Sequence, residues 1–134
     1  MAQRIQILVV DDDASIRKSL MQVLRADDFE VFGAATTDEA FTQFTQRPID
    51  IVLLDINLGD DNGWDLLQKL RGLQPGLPAV MMTGNASELH QSPNRRIAVH
   101  ALLEKPFDPP ELFKQLRDSL VTPPPPALNR PHPA

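Results

Sequence analysis

The sequence has no cysteine, which excludes disulfides and thiolate-ligated metal sites at once and gives no hint of secretion. Long apolar runs are also missing. The opening MAQRIQILVVDDD lacks the apolar stretch of a signal peptide, and no segment is long enough to span a bilayer. Basic residues form no stripe. The net charge is −5, and the short cluster Asn94–Arg96 reads as a solvated turn. His90, His100 and His132 show no metal-ligand spacing, so zinc and copper find no ligand set. No internal repeat is visible. These absences point to a cytoplasmic protein that touches neither membrane nor nucleic acid directly, expected as a monomer or weak dimer.

What is present fits one ordinary domain. A chain of 134 residues, 42% hydrophobic and 23% charged, can bury a core of normal size. Ile5–Val10, Ile51–Leu54 and Ala79–Met82 are short and apolar on both faces, as strands covered on both sides must be. Glu30–Ala34 and Ala101–Glu104 are weaker strands. Between them run helix-period stripes: Ile16, Leu20, Val23 and Leu24, then Phe41 and Phe44 after a Thr36–Glu39 capping box, then Trp64, Leu67 and Leu70. The last helix is the best marked, with Asp108 as cap, Pro109 at its first position, Glu111 two residues on, and a stripe of Leu112, Leu116 and Leu120.

Strand and helix thus alternate about five times, which predicts an α/β fold: a doubly wound, five-stranded parallel sheet with helices on both faces. The fourth helix, within Ser87–Val99, is expected to be short or irregular because Pro93 interrupts it and no clean apolar period supports it. From Thr122 the chain reads TPPPPALNRPHPA, about half proline. Residues 1–121 are therefore expected to form the domain, and 122–134 a proline-rich disordered tail or the start of a linker.

In an open parallel sheet, ligands bind beyond the carboxyl ends of the strands. Those ends carry Asp11, Asp12 and Asp13 after strand one, Asp55 after strand three, Thr83 and Gly84 after strand four, and Lys105 after strand five. Singly, each has an ordinary reading as a cap, a turn or a solvated charge. Together they gather carboxylates, a hydroxyl, a small residue and one lysine on a single rim. Packed carboxylates repel one another unless a cation compensates, and an all-oxygen set suits Mg²⁺. A carboxylate beside Mg²⁺ and a lysine is suited to attack phosphorus.

VVDDDASIR, LLDINLGDDNG, VMMTG and LEKPF, in this order and spacing, resemble the receiver domain of bacterial two-component response regulators, over Arg4 to about Leu120. The resemblance implies a flavodoxin-like receiver fold and a phosphorylation-dependent switch. Asp55 would accept a phosphoryl group from a sensor histidine kinase or phosphotransfer protein, altering a face that binds a downstream protein. Asp12 would bind Mg²⁺ directly, Asp11 through water, and the Asn57 backbone carbonyl would complete the protein ligands around Asp55. Thr83 would hydrogen-bond the phosphoryl group, Lys105 would pair with it, and the Lys105–Pro106 peptide would be cis. The activity would be self-phosphorylation and self-dephosphorylation on Asp55 only. Asp13 has no such role and is expected to cap the first helix.

Three departures stand out. Gly59 occupies a position usually held by proline, Leu102 one usually held by Tyr or Phe, and RRIAVHALL replaces the usual Ala-Gly-Ala before strand five. Two rival readings remain. A haloacid dehalogenase-type phosphatase would need an acidic residue where Asn57 stands. A phosphorylation-independent, receiver-like binding module would be expected to have lost part of the acidic, Thr and Lys set, and all are present.

Overall fold

The computed structural model describes residues 4–84, 99 and 101–121. Its elements run β1 (Gln6–Val10), α1 (Ala14–Ala26), β2 (Glu30–Ala34), α2 (Thr37–Gln46), β3 (Ile51–Asp55), β4 (Asn57–Leu58), β5 (Asp61–Asn62), α3 (Gly63–Leu73), β6 (Ala79–Thr83), β7 (Ala101–Glu104) and α4 (Pro109–Val121). The five longer strands pair in parallel in the order β2-β1-β3-β6-β7. The expected sheet is therefore present. The irregular helix expected within Ser87–Val99 falls, apart from Val99, outside the described residues, as does the proline-rich tail. No described helix is long and apolar enough to cross a membrane.

The continuous apolar runs become strands because both faces of the sheet are covered. β3 and β6 are buried at every position. Alternate side chains feed two cores, as the two-residue period of a strand requires. Leu8, Val10, Val52, Leu54 and Met81 meet Phe44, Leu66, Leu67 and Leu70 of α2 and α3 on one face. Ile7, Val9, Ile51, Leu53, Val80 and Met82 meet Leu24, Leu112 and Leu116 of α1 and α4 on the other. Each fully buried Leu or Ile contributes roughly 1.5–3 kcal/mol, so the strand ends project from a rigid platform.

The caps also follow the sequence. Asp13 caps α1, its side chain accepting from Ile16 N at 3.0 Å. Thr36 caps α2, accepting from Glu39 N at 3.1 Å. The return bond of this box is shifted by one residue, with Glu39 Oε2 accepting from Ala35 N at 3.1 Å. Two apolar positions differ from the expected stripes: Ile16, in the first turn of α1, is 36% exposed, and the other lies on α2. Phe41 is 39% exposed, whereas Phe44 is buried, because Ala40 and Phe44, four apart, set the inward face of α2.

Strand order reverses between β1 and β3, since β2 lies on one side of β1 and β3 on the other. A crevice beyond their carboxyl ends is the natural ligand position in this topology. Asp11 and Asp12 follow β1, and Asp55 closes β3.

Candidate functional site

Asp55 is 5% exposed at the end of a wholly buried strand. Its Oδ1 accepts from Asn57 N at 3.0 Å, and its Oδ2 from Lys105 Nζ at 2.7 Å. The chain then forms the β4–β5 hairpin, with Leu58 opposite Asp61. Gly59 opens its two-residue turn at φ +67°, the left-handed region that favours glycine. Gly63, at the start of α3, donates its N–H to the Ile56 carbonyl at 2.8 Å. A Cβ on Gly63 would collide with the Asp55 carbonyl oxygen. Asn62 caps α3 by accepting from Trp64 N at 2.7 Å. The residues after Asp55 thus fold back closely against its backbone.

Asp11 is fully buried, and its polar groups are all engaged. Its N–H donates to the Ala34 carbonyl at 3.2 Å, and its own carbonyl accepts from Arg17 Nη1 at 2.8 Å. Its Oδ1 accepts from Asp13 N at 2.9 Å, and its Oδ2 from Lys105 Nζ at 2.7 Å. Asp12 is exposed, yet carboxylate oxygens of Asp11, Asp12 and Asp55 all lie within 4.8 Å of one another. Lys105 follows β7 and reaches across the sheet end to bond both buried acids. Its N–H donates to the Thr83 carbonyl at 2.7 Å, which ties it to the end of β6, and its peptide bond to Pro106 is cis. Thr83 is fully buried. A Cβ on Gly84 would meet nothing within 4 Å among the described residues.

Burial raises the Asp55 carboxyl above its ordinary value of 3.8, and the Asp11 charge adds to this; the Lys105 and Asn57 bonds oppose it without prevailing. Burial alone would push the Lys105 ammonium down. Its bonds to Asp11 and Asp55 outweigh that and raise it above 10.5. Three carboxylates face one ammonium here, an excess of two negative charges when all are ionised. A hard divalent cation held by Asp11, Asp12 and Asp55 would neutralise that excess, and oxygen donors of this kind fit Mg²⁺. The residues present therefore fit the group.

The strand-end residues named from the sequence, Asp11, Asp12, Asp55, Thr83 and Lys105, lie on the same edge of the sheet. Asn57 is brought in by the hydrogen bond its backbone N–H donates to Asp55 Oδ1. Asp13 is set apart as a helix cap. Sequence reasoning did not anticipate the Lys105–Asp11 ion pair, the hairpin, or the close approach of Gly63 to the Asp55 backbone. The glycine was visible in LGDDNG, but only the fold places it under the Asp55 carbonyl.

A family profile for the response regulator receiver domain matches residues 7–117. The DNA-binding response regulator MtrA of Mycobacterium tuberculosis is 35% identical over 117 residues, covering 87% of this chain and 51% of that protein. The chain thus spans about half the length of the curated relatives it matches. Among solved structures, a CheY-like response regulator receiver domain protein from Methanospirillum hungatei superposes with a TM-score of 0.76 at 32% identity, over 89% of this chain and 95% of that one. The chemotaxis protein CheY4 of Vibrio cholerae superposes with a TM-score of 0.81 at 27% identity, over 88% of this chain and 100% of that one.

Proposed function

This chain belongs to the response regulator receiver domain family, the signalling switches of two-component systems, and on that premise we propose that Asp55 is its phosphoacceptor. In this reading an Asp55 carboxylate oxygen attacks the phosphorus of a phosphohistidine on a kinase or phosphotransfer protein. The new O–P bond forms as the P–N bond breaks, and the donor imidazole keeps the electron pair and takes up a proton. Nothing is turned over beyond this domain's own aspartyl phosphate.

The observation that carries the reading is the convergence of Asp11, Asp12 and Asp55 on one sheet edge, with Lys105 bonded to both buried acids at 2.7 Å. Asp11, Asp12, Asp55 and the Asn57 carbonyl would hold Mg²⁺, which when bound supplies positive charge to the transferring phosphoryl oxygens. Burial and the Asn57 amide orient the Asp55 carboxylate. Lys105, already beside it, would pair with the added phosphoryl charge, and Thr83, at the neighbouring strand end, would hydrogen-bond to it. A module that binds partners without phosphorylation has no need of this whole set, so its presence supports the switch. We further propose that the domain ends near Val121, that it works in the cytoplasm, and that any DNA binding belongs to a longer parent protein.

Acetyl phosphate with Mg²⁺ tests the assignment. Intact-mass spectrometry should show one added phosphoryl group on the wild type and none on Asp55→Asn. Equal gain in both proteins would refute it.

A further inference from the structure

Asp12 is the member of the acidic group least held by its surroundings. It is exposed, and among the described residues no hydrogen bond reaches its carboxylate. Its placement therefore falls to the backbone. At Asp11 the chain still bonds to β2, through the N–H that donates to Ala34. The next peptide unit, joining Asp11 to Asp12, has left the sheet. Its carbonyl accepts from Arg17 Nη1 at 2.8 Å. A peptide unit is planar, so fixing this carbonyl also fixes the direction in which Asp12 departs.

Arg17 is delivered to that carbonyl by two other features. The Asp13 cap starts α1, and Arg17 N donates to the Asp13 carbonyl at 2.9 Å, which sets residue 17 one turn along. Side chains on a helix lean toward its N-terminus, which returns the guanidinium to the Asp11–Asp13 loop. The Arg17 stem runs past Gly33 of β2, where a Cβ would stand in ordinary contact with Arg17 Cδ at 3.4 Å. Arg17 forms no ion pair among the described residues. Its bond goes to a neutral carbonyl, so its contribution is geometric.

We propose that Arg17 is a positioning residue for the divalent-cation site, acting through the Asp11–Asp12 peptide to aim Asp12. The inference rests on the reading of this site as a Mg²⁺ site. Charge and geometry predict opposite signs for its removal. Deleting a cation seated on the Asp11 backbone carbonyl should, by Coulomb's law alone, tighten Mg²⁺ binding, because a like charge is removed from the site's surroundings. Losing the positioning bond should weaken it, by about tenfold or more for a group that orients metal ligands.

The test is a Mg²⁺ titration of the full chain, followed by the fluorescence of Trp64 and by the metal-induced rise in melting temperature. Arg17→Gln removes charge and bond together. Arg17→Lys keeps the charge and a long stem but lacks the guanidinium that reaches the carbonyl, so it serves if the Gln variant does not fold. Both are expected to bind Mg²⁺ about tenfold more weakly than wild type. Wild-type or tighter affinity in either folded variant overturns the proposal, as does a lower metal-free melting temperature with an unchanged dissociation constant. If the wild type binds no Mg²⁺, the reading of the site fails instead, so the two failures are distinguishable.

Discussion

Replacing Lys105 with Met would keep most of the side-chain volume and delete the ammonium bonded to Asp11 and Asp55. Breaking a buried pair by removing one partner costs about 3–5 kcal/mol, because the other charge is left uncompensated. Solvent screening gives little relief here: the Lys105 side chain is 17% exposed, and those of Asp11 and Asp55 are 0% and 8% exposed. Proton uptake sets a ceiling on the loss from each acid. At pH 7, a carboxyl of ordinary pKa 3.8 can be neutralised for about 4.4 kcal/mol, at about 1.4 kcal/mol per pH unit. Burial has already raised Asp55, so neutralisation there costs less. A loss of about 3–4 kcal/mol is therefore expected at pH 7 in EDTA. At pH 5 the same ceiling falls below about 2 kcal/mol, and the loss should shrink with it. The sign follows from the raised carboxyl: its charged form weakens the fold above its pKa and stops doing so below it. Saturating Mg²⁺ should return more stability to the variant than to wild type, since it replaces the missing positive charge. Urea unfolding of both proteins at pH 5 and pH 7, with and without Mg²⁺, provides the measurement. An equal loss at both pH values, or a loss under about 1 kcal/mol at pH 7, would refute the reasoning.

Gly59→Pro installs the residue usual at this position in the family, yet it should destabilise this chain by about 2 kcal/mol or more, because proline is locked near φ −65° and Gly59 stands at +67°. Thermal melting decides it, and an unchanged midpoint would mean that the turn readily adopts another form. Trp64 is 5% exposed and its indole N–H has no hydrogen-bond partner among the described residues, a cost of about 1–3 kcal/mol. Trp64→Phe should thus change stability by no more than about 1 kcal/mol, as the relieved donor offsets the lost contact area; a fall of over 2 kcal/mol in urea unfolding would contradict this.

The alternation of apolar runs with helix-period stripes was enough to determine the sheet, because strands covered on both faces must be apolar on both faces. Asp13 and Thr36 were legible as caps for a similarly local reason: a cap needs only its own side chain and an amide three residues away. The acidic rim was legible too, since parallel connectivity sends every strand's carboxyl end to the same edge. Other features depend on residues far apart in the chain. Lys105 bonds Asp11 across 94 positions, and that pairing exists only because β1 and β3 lie side by side with β6 and β7 beyond them. Phe41 could not be assigned a face from its spacing to Phe44 alone; the packing of Ala40 and Phe44 on the sheet decided it. Gly59 reads in sequence as a missing proline, while the hairpin shows a backbone that proline cannot adopt. Gly63 and Arg17 carry no chemistry in a linear reading. Their roles arise where the fold brings a carbonyl oxygen against each, Asp55 at Gly63 and Asp11 at Arg17. Side-chain type and period are properties of the chain, whereas the approach of one backbone to another is set only by how the elements pack.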